Sequence, residues 1–88
     1  MDERYPYHCD FYIKSEDLFI ELNLHWTHGG HPFDSTNPDD LELVNFWKSK
    51  ASDSNYYAVA ITVWTVWDVH KQEIAKENDL NYKVIYKL

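Results

Sequence analysis

Residues 8–13 and 18–23 carry Phe11, Tyr12, Ile13, Leu18, Phe19, Ile20 and Leu22 in two strand-like runs. Alternation points successive side chains of such runs to opposite faces. Lys14-Ser15-Glu16-Asp17 between them is polar and hairpin-sized, so the pair predicts an N-terminal β-hairpin. Residues 24–36 hold Gly29-Gly30, Pro32 and Ser35 and read as a loop with unusual backbone angles. Asn37-Pro38-Asp39-Asp40 is a helix start: a capping Asn, Pro at the first helical position and acids in the first turn. That helix should run to about Ala51, with Leu43, Val44 and Trp47 on one face. Residues 57–66 fit two patterns. Val59, Ile61, Val63 and Thr65 alternate as in a buried strand, whereas Tyr57, Ala60, Ile61 and Trp64 form a helical stripe. The β-branched residues favour a strand from about Ala60. Asp68 should cap a second helix through about Asn78, and Tyr82 to Tyr86 form the last strand, reached by a right-handed crossover. The expected fold is a single α/β domain over residues 1–88, a small mixed sheet with an N-terminal β-hairpin and two helices.

Eighty-eight residues bury a core only marginally. Fifteen aromatic residues (four Trp, seven Tyr, four Phe) supply large buried area per side chain and make a staple-free fold feasible. A single cysteine cannot form an internal disulfide, so a reducing, cytoplasmic setting is expected. Cys9 reads as a small strand residue, because no catalytic Cys/His spacing surrounds it. The first residues are polar and acidic where a secretory leader would be basic, and no apolar run is long enough to span a membrane.

Charge changes the picture more. The net charge is −7, against the basic surface that nucleic-acid binding normally uses. Its distribution is uneven: residues 1–45 hold two basic and ten acidic side chains, residues 46–88 six basic and five acidic. Much of the acid therefore lies in the half that holds Asp10 and Glu21. In a paired hairpin these two could meet at a sheet edge, where two carboxylates repel unless a cation or proton lies between them. A hard divalent ion such as Mg²⁺ suits such an oxygen-rich site. Glu21 sits within Leu18-Phe19-Ile20-Glu21-Leu22, where a carboxylate is costly to bury unless paired or metal-bound. Asn23, two residues on, shares its strand face and could orient a water or phosphate oxygen, or simply begin the turn.

His25, His28 and His31 recur at intervals of three, a zinc-like spacing without a CxxC partner. His28, directly after Trp26-Thr27, is the general acid or base candidate. Gly29-Gly30 reads as turn geometry, Trp47, Trp64 and Trp67 as core, and Asp68-x-x-Lys71 as a helix cap with an exposed lysine able to contact phosphate. DNA-facing charge would fall chiefly to Lys50 and Lys71 among the scattered lysines.

Asp10 followed about ten residues later by Glu21-x-Asn23 resembles the PD-(D/E)XK nuclease signature. Trp26-Thr27-His28 and Phe46-Trp47-x-x-Lys50 resemble the very-short-patch-repair endonuclease branch, whose relatives include catalytic domains of homing endonucleases, often encoded by phages or mobile introns. Asn23 stands where the general signature has lysine. The resemblance implies a truncated restriction-endonuclease-like core and a metal-dependent DNA endonuclease module. Asp10 and Glu21 would hold one Mg²⁺ or Mn²⁺, and Asp10, Glu21, Asn23 and His28 would form the catalytic set. Cleavage would leave a 3′ hydroxyl and a 5′ phosphate. Specificity then falls to a further DNA-recognition domain or partner, and a homodimer is left open. Two other readings stand beside it: a non-enzymatic acidic mini-domain that binds a protein on a degenerate nuclease fold, and a Zn²⁺ protein using His25, His28 and His31.

Overall fold

The Asn37 side chain accepts the Asp39 N–H at 2.9 Å and Pro38 takes the first helical position, so α1 (Pro38–Ala51) begins and ends where its local signals place it. The computed structural model describes residues 3–88. Its strands are β1 (Phe11–Ile13), β2 (Leu18–Leu22) and β3 (Asn81–Ile85). β1 and β2 form the expected antiparallel hairpin, with Phe11 opposite Ile20 and Ile13 opposite Leu18. The intervening turn is a short 3₁₀ segment, Lys14–Glu16, closed by Asp17 in the left-handed region. β3 adds to β2 in parallel, pairing Glu21 with Val84, to give a mixed three-stranded sheet in the order β1-β2-β3.

The strand expected from about Ala60 is a helix. α2 (Asn55–Thr62), a π-helical segment (Val63–Trp67) and α3 (Asp68–Glu77) follow one another without a break, so residues 55–77 form one long rod. The helical stripe prevails over β-branched propensity because burial is decided by packing. Ala60 and Trp64 are fully buried, one turn apart, against Val44 and Trp47 of α1. Buried Ala60, Trp64 and Asp68 recur every four residues, a spacing that drifts by about 40° per step in an α-helix. The wider π turn absorbs part of that drift. Asp68 accordingly lies in mid-rod and caps nothing, and Trp67 is 52% exposed instead of core.

Two apolar clusters result. Val44, Trp47, Ala60 and Trp64 make the helical one. At the sheet, Tyr5 stacks on Phe19 and Tyr82, and Arg4 ties the N-terminal segment to the hairpin turn through two 2.9 Å bonds to Asp17. The molecule is elongated, 44 × 25 × 25 Å. Among the described residues no helix is long and apolar enough to cross a membrane.

Candidate functional site

β2 presents Glu21 on the sheet face that packs beneath α3, and continuing the β1–β2 register by one residue sets Asp10 opposite it. Asp10 lies just outside β1, and its carboxylate accepts the Leu22 N–H at 2.7 Å, which fixes it at the strand end. Glu21 is 5% exposed, and its Oε1 is buried with no hydrogen-bond partner among the described residues. Lys71 of α3 brings its ammonium to 3.8 Å from Glu21 Oε2. Burial lifts the Glu21 carboxyl above the usual range; Lys71 opposes the shift and the charge of Asp10 adds to it.

One turn before Lys71, Asp68 is 3% exposed and bonds His28 Nδ1 at 2.6 Å. Burial raises Asp68, while His28 and then Lys71 pull it down. The bond to Asp68 engages Nδ1 and so fixes the orientation of the His28 ring. The 3₁₀ turn Trp26–His28 that carries the imidazole is capped by His25 and closed by Gly29 at φ 72°. A Cβ at Gly29 would clash with the Trp64 ring, so this glycine serves close packing. Asn23 is buried at the end of β2; its N–H donates to the Ile85 carbonyl at 2.8 Å and its side chain lies by the Tyr86 hydroxyl. Gln72, the residue after Lys71, donates to that hydroxyl at 3.0 Å.

Of the expected residues, Asp10, Glu21, Asn23 and Lys71 therefore surround one stretch of the sheet, and His28 joins them through Asp68. Lys50 does not join them: it lies over the Phe46 ring on α1, at 5.7 Å. The three histidines disperse, His25 to Thr27, His28 to Asp68 and His31 to Asp40. Among the described residues no group of three or more His, Cys, Asp or Glu side chains could together hold a metal ion. Cys9 lies just before β1, not in a strand; its thiol donates to the Ile20 carbonyl at 3.2 Å, and burial pushes its pKa up, which keeps it a thiol.

Three contributors escaped sequence reading. Asp68 orients His28 across forty residues of chain. Tyr5 and Tyr82, hydroxyl to hydroxyl at 3.1 Å, are pushed up first by burial and feel the charge of Glu21. The one available signal was an acid inside the apolar stripe of residues 60–75. Comparison with protein-family models, curated proteins and solved structures returns no match for this chain.

Proposed function

We propose that this chain is a divalent-metal-dependent phosphodiesterase module acting on DNA, with a degenerate PD-(D/E)XK arrangement. The observation that carries the reading is Glu21: a buried carboxylate with one unpartnered oxygen, in register with Asp10, at the point where Lys71 arrives from α3. An orphaned carboxylate oxygen beside a second carboxylate suits a hard cation, and Mg²⁺ or Mn²⁺ commonly takes only one or two carboxylates, with water and phosphate completing its shell. Asp10 and Glu21 are the residues that would hold it; once bound, the ion offsets charge on the phosphate and acidifies a water.

The remaining work belongs to the chain. Lys71, with about a quarter of its side chain exposed, is placed to bind a phosphate oxygen as a point charge. It thereby supplies the ammonium that position 23 lacks. His28, steadied by Asp68, takes or gives a proton at Nε2. Asn23 holds the end of β2 against Tyr86 and so positions Glu21. A net charge of −7 makes DNA affinity modest and strongly salt-dependent, and specificity rests with a further recognition domain or partner.

Incubation with supercoiled plasmid at low salt tests this. Slow nicking in Mn²⁺ or Mg²⁺, absent in chelator and absent in Asp10→Ala and Lys71→Ala, is the expected result. No nicking by wild-type protein that binds the metal overturns the proposal and favours the protein-binding reading.

A further inference from the structure

The sheet has two faces, and among the described residues only one is packed over by other elements. Phe19 and Glu21 of β2, with Tyr82 of β3, point toward Tyr5 and α3. By alternation the opposite face carries Phe11 and Ile13 from β1, Leu18, Ile20 and Leu22 from β2, and Ile85 from β3. Phe11 is 55% exposed and Ile13 38%, and the other four are half-buried. A sheet face that meets water ordinarily alternates to polar residues. Here it holds six apolar side chains beside two polar ones, Asn81 and Lys83 of β3, and no carboxylate, on a chain with fifteen acids. Such a patch marks an interaction surface.

We propose that this face is the interface of a homodimer, sheet packed on sheet. Charge and register select a second copy. Most of the surface of a −7 chain repels its own copies, and this acid-free face is where two can meet. Phe11, Ile20 and Lys83 form one row across the three strands. A two-fold axis along β2 sets Ile20 against Ile20 of the partner subunit and Phe11 against Lys83 of the partner subunit, an aromatic ring facing an ammonium twice over. Glu21 points the other way, so both candidate sites stay open. The inference is independent of the nuclease reading.

Sedimentation equilibrium of the full chain, from micromolar to submillimolar loading, tests it. Wild-type protein should sediment at twice its 10.6 kDa monomer mass. Phe11→Lys, which sets a cation against Lys83 of the partner subunit, should weaken dimerisation by about 30-fold or more, as loss of a buried aromatic anchor does. Far-UV circular dichroism should be unchanged; if Phe11→Lys does not fold, Phe11→Ser carries the same test. Val66→Lys, at an exposed position of the π segment, should leave the dimer intact. A wild-type monomer at every loading, a dimer indifferent to folded Phe11 variants, or one broken by Val66→Lys overturns the proposal.

Discussion

Replacing Glu21 by glutamine should stabilise the protein at neutral pH while removing its response to divalent ions. The wild-type carboxylate is 5% exposed, with Oε1 unpartnered and its charge offset chiefly by Lys71, 3.8 Å away, and less by the Cys9 thiol and the Asp10 backbone. A buried acceptor left unsatisfied costs about 1–3 kcal/mol, and more when charged. Glutamine keeps the shape and removes the charge. Lys71, with a quarter of its side chain exposed, can turn to water when its partner is lost. A net gain of about 1–2 kcal/mol follows, and a domain this small shifts its Tm by about 4–8 °C per kcal/mol.

The sign of the pH dependence is fixed. Burial raises the folded-state pKa of Glu21 above its ordinary 4.5, so the folded protein holds this proton more tightly than the unfolded chain does. The Glu21 contribution to stability is therefore fully present below 4.5 and is lost as pH rises through the raised value. Glutamine does not titrate. The Tm advantage of Glu21→Gln should be greatest at neutral pH and shrink toward acid. Divalent ion at ten times its Kd should stabilise the wild type by about 1.4 kcal/mol and the variant not at all. Calorimetric melting across that pH range, with and without Mn²⁺, measures all of this. A variant that melts below wild type at neutral pH, or a difference flat with pH, refutes the account of Glu21 as an incompletely compensated buried charge.

Three further outcomes are expected. Trp64→Ala should cost roughly 3–5 kcal/mol in denaturant unfolding, because Trp64 is fully buried and donates to the His31 carbonyl at 2.8 Å; a change under 1 kcal/mol would mean that the helical cluster is not the core. Gly29→Ala should also lower the melting point, since its Cβ would clash with the Trp64 ring and φ is 72°. His28→Ala should slow plasmid nicking by about 10²–10⁴-fold with metal affinity retained, and Asp68→Asn should slow it less while changing its pH profile; equal loss of metal binding would make His28 a ligand instead.

Local signals carried much of this fold. Asn37 and Pro38 placed α1 because capping is decided within four residues, and hydrophobic alternation placed the hairpin and β3 to within a few residues. Residues 57–66 were misread because their two periodicities were equally good in one dimension. Only the approach of Gly29 and Trp47 to Trp64 favours the helix. Glu21 was legible as an acid in an apolar strand, and Asp10 as its neighbour through register. Its Lys71 and Tyr82 neighbours, and the bond of His28 to Asp68, were not, since each spans about forty residues or more and leaves no local pattern.

The most direct measurement is a Mn²⁺ titration followed by electron paramagnetic resonance, which counts ions bound per chain. One ion per chain is expected for wild type and for His28→Ala, with binding lost in Glu21→Gln and Asp10→Asn. Free Mn²⁺ throughout the wild-type titration, or binding untouched by either carboxylate substitution, would contradict a metal site built on Asp10 and Glu21.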